Sequence, residues 1–179
     1  MLRKLLMLLM GVLLALVVGS FFLEDRLLVE RSITINKPPA TVFRLLNSFT
    51  HYPEWSPWHD QSMQYQHSGP EQGLGAVLSW QSLSRGDGIL EITESVPVKK
   101  ITTRMEFIDR GTVYSRFLLQ PSSAGTDLRW QYEVDLSEIE NPFYRYAGRY
   151  MALLMGKWIA EDYDRGLEEI RRLVESENT

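Results

Sequence analysis

The side chains of this sequence that are able to do chemistry are few and scattered. His51, His59 and His67 recur every eight residues. That spacing does not stack them on one helix face, and a metal site needs several converging ligands. Even with Glu54 and Asp60 nearby, no metal or other cofactor is expected. Glu91 and Glu106 have the right type for acid–base work, but both fall on the polar phase of alternating segments, as do Arg104, Arg116, Arg129 and Glu133. They read as a solvated face. Arg31 and His67 share the apolar phase of their segments, close to the segment ends; they read as rim residues, with ligand anchoring as the alternative. Ser79 and Ser115 have no histidine partner by spacing. No glycine-rich phosphate cradle precedes a helix. Arg85-Gly86-Asp87-Gly88 reads as a hairpin turn rather than an adhesion motif. Glu161, Asp162 and Asp164 form a short acidic stretch with only Tyr163 in the apolar phase.

What the chain has in quantity is aromatic surface. Among its 179 residues are five tryptophans and eight tyrosines, and it has no cysteine. The missing cysteines exclude disulfides, thiol catalysis and thiolate metal sites. Hydrophobic content of 44% and charged content of 23% suit a folded globular domain. Net charge is −4. Arg3 and Lys4 are the basic residues ahead of Glu24, so the rest carries 17 basic against 23 acidic residues. Such an acidic domain offers no electrostatic footprint for nucleic acid, and none is expected as a partner.

Leu5 to Leu23 runs 19 residues without a charge. As a helix it measures roughly 28 Å, the thickness of a bilayer core. Arg3 and Lys4 on one side place the N-terminus in the cytoplasm and the domain across the membrane, periplasmic or extracellular. A cleaved signal peptide is the competing reading, with Val17 and Gly19 ahead of Ser20 as a weak site. The length of the run and its continuation through Phe21 and Phe22 favour a retained anchor. The expected organisation is residues 1–4 cytoplasmic, 5–23 transmembrane, 24–27 linker and 28–177 domain.

Within the domain, Leu28 to Asn36 alternates as a half-buried strand with Val29, Arg31, Ile33 and Ile35 on one face. Lys37-Pro38-Pro39 ends it, and Pro39 can open a helix that shows Val42, Phe43, Leu45, Leu46 and Phe49 on one face. Trp55-Ser56-Pro57-Trp58 follows in a turn or short helix. From Ser62 to Leu136 the period is two. The expected inward rows are Leu74, Ala76, Leu78, Trp80; Leu90, Ile92; Ile101, Thr103, Met105, Phe107; Val113, Ser115, Phe117, Leu119; and Leu128, Trp130, Tyr132, Val134. Alternation this clean indicates an antiparallel sheet with one wet face. Asn141 is a suitable N-cap and Pro142 a suitable first residue for one long amphipathic helix to Glu175, with Gly148 and Gly156 as weak points. It is the only element long enough to cover the sheet.

Strand, short helices, a meander and a long final helix resemble the SRPBCC superfamily, also called START-like or Bet v 1-like. The likeness is nearest to its polyketide cyclase/dehydrase and lipid transport branch. It is carried by VERSITINKPPATVFRLL (Val29 to Leu46), WSPW (Trp55 to Trp58), GLGAVLSW (Gly73 to Trp80), GDGILEITES (Gly86 to Ser95), GTDLRW (Gly125 to Trp130) and the final helix. It implies an α+β helix-grip fold: a curved antiparallel sheet of six or seven strands wrapped on the C-terminal helix, with an apolar cavity between them. The residues expected to face a ligand are Trp58, Tyr65, Trp80, Met105, Phe117, Trp130, Tyr132, Tyr150, Leu154 and Trp158, with Trp55 in the same aromatic set. For any one of them, core packing is the plainer reading. The expected function is binding of a hydrophobic small molecule or lipid without catalysis. The alternatives are a cyclase- or dehydrase-like enzyme on an apolar substrate, and an envelope interaction module with a vestigial cavity.

Overall fold

The alternation from Leu28 onward becomes one antiparallel sheet of seven strands. The computed structural model describes residues 2–84, 86–107, 111–139 and 141–176. Arg85, the side chain of Phe107 and the expected domain end at residue 177 lie outside the described residues. The chain runs α1 (Leu2–Ser20), β1 (Arg26–Ile35), α2 (Pro39–Leu46), α3 (Tyr52–Trp55), β2 (Gln64–Ser68), β3 (Val77–Gln81), β4 (Gly88–Val96), β5 (Lys100–Phe107), β6 (Gly111–Ser122), β7 (Gly125–Asp135), a 3₁₀ turn (Leu136–Glu138) and α4 (Pro142–Ser176). The strand order is β1-β7-β6-β5-β4-β3-β2. The six strands from β2 to β7 form a meander, and β1 closes its far edge by pairing with β7, Arg26 opposite Asp135 and Ile35 opposite Thr126. A register shift between Ile92 and Glu94 interrupts the β4–β5 ladder, the kind of irregularity that bends a sheet.

The inward rows hold. Leu78, Ile92, Ile101 and Leu128 are fully buried, and Ala76, Trp80, Leu90, Thr103, Ser115, Phe117, Leu119 and Trp130 are buried with them. Leu74 departs from the expectation. It is 66% exposed because β3 begins only at Val77, and Leu74 sits in the preceding loop between Gly73 and Gly75. Arg31 is a rim residue, as expected: it is exposed and meets Asp164 of α4 at 3.2 Å. His67 is exposed. On the outer face Arg104 ties Glu91 and Glu106 together, so those carboxylates form a surface ladder, as expected. Glu133 is the exception to a solvated outer row. It is buried between Arg26 and Arg116. Burial alone would raise its carboxyl, but the two guanidinium groups hold it below the usual range.

Helix α4 is capped as its sequence predicts, with the Asn141 side chain accepting from the Phe143 N–H at 3.0 Å. Its C-terminal half fills the sheet's concave face through Ile159, Ala160, Tyr163, Leu167, Ile170 and Val174, all buried. Gly166 brings the helix close: a Cβ there would stand 2.6 Å from the Trp130 ring. Its N-terminal half does not cover the sheet. Phe143, Tyr144, Met151, Leu153, Leu154 and Trp158 are between 52% and 71% exposed. At the far end of the sheet α2 and α3 close the core with Val42, Leu46, Phe49, Tyr52 and Trp55.

Helix α1 is long and apolar enough to cross a membrane, a property shared by a signal sequence. It is not packed into the domain core. It meets α4 at its own C-terminal end, where Arg149 donates two hydrogen bonds to the Asp25 carboxylate at 2.6 and 2.8 Å and a third to the Ser20 carbonyl at 2.7 Å.

Candidate functional site

Between the sheet, α2–α3 and the C-terminal half of α4 lies a cavity of about 450 Å³. That volume is in the range of small-molecule sites. Its walls are overwhelmingly apolar and aromatic. The strands supply Trp80, Leu90, Met105, Phe117, Trp130 and Tyr132; α2, α3 and the segments after them supply Leu46, Phe49, Tyr52, Trp55, Trp58 and Met63; α4 supplies Met155, Trp158, Ile159, Asp162 and Tyr163. Ser84, Met155 and Trp158 are exposed members of this lining, so the cavity opens to the outside there.

Trp130 organises the interior. Tyr163 stacks on it with ring centroids 3.8 Å apart, and Phe117 stacks from another side at 4.8 Å. Trp55 and Trp58 meet it roughly edge-on at 5.6 and 6.0 Å. Buried rings carry polar handles that need partners, and Ser115 provides them. Its Oγ accepts the Trp130 indole N–H at 2.6 Å and lies 3.0 Å from the Tyr163 hydroxyl. The Ser115 hydroxyl donates to the Gln131 carbonyl at 3.1 Å. A hydroxyl has one proton to give, so Tyr163 is the donor in its pair with Ser115. The Trp58 indole N–H donates to Asp162 at 2.9 Å, and Arg165 pairs with the other oxygen of that carboxylate.

These bonds leave little free chemistry. Burial pushes the Tyr163 phenol well above its ordinary pKa and raises Tyr52 in the same direction. Burial, with Asp60 adding to it, also raises Tyr65. Burial alone pushes Tyr132 up to about 12. All four phenols therefore stay neutral at ordinary pH and offer no phenolate base. Among the described residues the Tyr132 hydroxyl makes no hydrogen bond within the protein. Asp162 is the one carboxylate in the described lining, and it is already held. No group of three or more potential metal ligands occurs among the described residues. His51 is bound to Glu54, and His59 stacks on Tyr65 with its Nδ1 2.9 Å from the phenol oxygen.

Eight of the ten residues expected at a ligand site converge here: Trp58, Tyr65, Trp80, Met105, Phe117, Trp130, Tyr132 and Trp158. Tyr150 and Leu154 do not. The Tyr150 hydroxyl donates at 2.6 Å to the Leu16 carbonyl of α1, and Leu154 is 64% exposed. Both sit in the half of α4 that has left the sheet. Sequence reasoning missed Tyr52, Phe49, Met63, Asp162 and Tyr163 as lining residues, and it placed Ser115 on an inward row without counting it among the ligand-facing residues. The helical phase shared by Leu45, Leu46 and Phe49 pointed to the first group, and the lone apolar phase of Tyr163 pointed to the last.

A family described as "Polyketide cyclase / dehydrase and lipid transport" matches residues 26–175. The chain belongs to this family. None of the curated proteins is similar enough in sequence to count as a match. Among solved structures the chain is similar to protein CV1439 from Chromobacterium violaceum, at 17% identity and a TM-score of 0.59, covering 84% of this chain and 99% of that one. It is also similar to protein SA2116 from Staphylococcus aureus, at 10% identity and a TM-score of 0.65, covering 84% and 94%. Similarity extends to Aha1 from Colwellia psychrerythraea, solved as a dimer, at 15% identity and a TM-score of 0.54, covering 85% and 98%. At such identities the likeness is one of fold. The α+β helix-grip architecture expected from the sequence is the one this family member has, and the family match begins just past α1.

Proposed function

We propose that this chain is a membrane-anchored helix-grip domain that binds a hydrophobic small molecule or lipid in its cavity without transforming it. The observation that carries this reading is the cavity itself: about 450 Å³, walled by aromatic and aliphatic side chains. Membership of a family whose description includes lipid transport supports it. A cyclase or dehydrase would need an acid and a base facing the substrate. The lining offers phenols held neutral by burial and one carboxylate bound by Trp58 and Arg165, which favours binding over catalysis. In this proposal α1 is retained as the anchor, with Arg3 and Lys4 on the cytoplasmic side and the domain on the other.

Native mass spectrometry of the purified chain, followed by organic extraction, tests the ligand reading. The expected result is a copurified lipid or apolar molecule that leaves on extraction. Absence of any copurified molecule, together with no binding of a lipid or polyaromatic probe, would overturn it.

A further inference from the structure

The cavity opens at the same end of the sheet from which α1 departs. The strand pairings fix this. Arg26, the first residue of β1, lies opposite Asp135 at the end of β7, and Tyr114 opposite Glu133 puts the start of β6 beside it. Phe107 opposite Gly111, Gly88 opposite Phe107, and Trp80 opposite Gly88 carry the same end across to β3. The turn holding Ser84, an exposed residue of the cavity lining, follows β3 at that end. The other end is closed by α2 and α3. Helix α4 enters from the α1 side as well: Arg149 binds Asp25, Gly156 faces Leu27, and Glu175 reaches the Asn36 N–H at 2.8 Å at the far end.

The exposed half of α4 leads to that opening. Tyr144, Met151, Leu154, Met155 and Trp158 follow helical spacing along one stripe, and all are exposed. The stripe ends at Met155 and Trp158, which line the mouth. Leu83, on the β3–β4 turn at the same end, is fully exposed. An apolar stripe beside a spanning-length helix, ending in a tryptophan, has the composition of an interfacial element.

From this we infer that the mouth is held against the same bilayer that α1 crosses, with the Met151–Trp158 face of α4 seated in the lipid interface. The ligand is then a bilayer-resident molecule that passes from the membrane into the cavity along α4 without entering bulk water. The Arg149 bonds to Asp25 and Ser20 are the clamp that orients the mouth relative to α1. This inference rests on the anchored, cavity-binding reading above and adds the source of the ligand and its route.

The absence of native cysteine makes the test direct. Single cysteines are introduced into the full chain as Met151→Cys, Leu154→Cys and Ser123→Cys and labelled with a polarity-sensitive fluorophore. Each labelled chain is then reconstituted into phosphatidylcholine vesicles. Ser123 is exposed in the β6–β7 turn at the opposite end. The expected result is a blue shift and a several-fold gain in emission at 151 and 154, quenched by lipids brominated near the headgroup, with the label at 123 remaining in water. Water-like emission at all three positions in vesicle-bound chain overturns the inference. Protection at 151 and 154 that vanishes when the chains are diluted in lipid also overturns it, because a second copy then covers the stripe. If the chain fails to stay with the vesicles, the anchor and this inference fall together. The cavity reading is judged separately, on copurified ligand in the detergent-solubilised chain.

Discussion

The two halves of α4 carry the same helical pattern and meet opposite fates. From Ile159 to Val174 the apolar positions are buried against the sheet, with Tyr163 and Ile170 at zero exposure. From Phe143 to Trp158 most residues of equal size stay exposed, down to Trp158 at the cavity mouth, which is 65% exposed. The two stretches differ in what stands opposite them. The sheet reaches only as far as Arg26 and Asp135, and the helix continues past that edge. Periodicity therefore states that a helix face needs a partner, not which partner it meets.

The largest expected effect contrasts the two halves by truncating one aromatic in each. Tyr163→Ala removes a ring stacked on Trp130 and leaves a void in the core, and should cost about 3–5 kcal/mol. Trp158→Ala should stay within about 0.5 kcal/mol of the parent, because exposed positions contribute little to folding. Urea unfolding of the detergent-solubilised chain measures both. Equal losses would mean that the N-terminal half is as much a part of the folded core as the C-terminal half, and the contrast would be gone.

The next effect sharpens what makes the buried half specific. Ser115→Ala deletes the acceptor shared by Trp130 and Tyr163 and strands two buried donors, at a cost of about 1–3 kcal/mol. The same measurement on Ser115→Thr, which keeps the hydroxyl, should show a smaller loss. If the alanine variant is neutral, the hydrogen bonds around Ser115 contribute nothing that packing does not already supply.

Within the N-terminal half, pH is the probe. Arg149 holds the Asp25 carboxyl below its ordinary pKa. The unfolded chain then takes up a proton on Asp25 at higher pH than the folded chain does. The ion pair's contribution is therefore fully present above the ordinary aspartate pKa, and it is lost as pH falls through the lowered folded value. In Arg149→Met this part of the acid sensitivity should disappear, leaving a flatter fall in the unfolding midpoint on the acid side. An unchanged slope would show that the clamp between α1 and α4 is not formed in solution.

How much of this was legible in the sequence follows from which residues had a local reason for their position. The inward rows of β3 to β7 were readable because period two forces alternate side chains to opposite faces. The exposure of Leu74 was not, because the Gly73 to Gly75 loop breaks the alternation one turn before β3 begins. Glu91 and Glu106 were correctly placed on the outer face, but nothing local distinguished them from Glu133, whose burial depends on Arg26 107 residues away. The eight expected residues that line the cavity were legible through strand phase and the Trp55 to Trp58 motif. Tyr150 and Leu154 were misplaced because helical periodicity runs unbroken from Phe143 to Val174, and the sheet edge that divides the helix is set by strand lengths elsewhere.

The smallest expected effect on stability falls on the residue that separates packing from recognition most cleanly. Tyr132 lines the cavity, is pushed up to about 12 by burial and makes no hydrogen bond within the protein among the described residues. Tyr132→Phe keeps the ring and its edge contact with Tyr163 while removing only the hydroxyl, so unfolding should move by less than about 0.5 kcal/mol. A donor that faces a ligand's polar group is worth about 1 kcal/mol, so occupancy should respond where stability does not. The expected outcome is a roughly five- to tenfold weaker hold on copurified ligand or on a carboxyl-bearing lipid probe, read by native mass spectrometry on parent and variant side by side. Equal retention in both would reduce Tyr132 to another wall of the cavity. Recognition would then rest on shape and apolar area alone, which the wide, aromatic lining around Trp130 supplies without any directed polar contact.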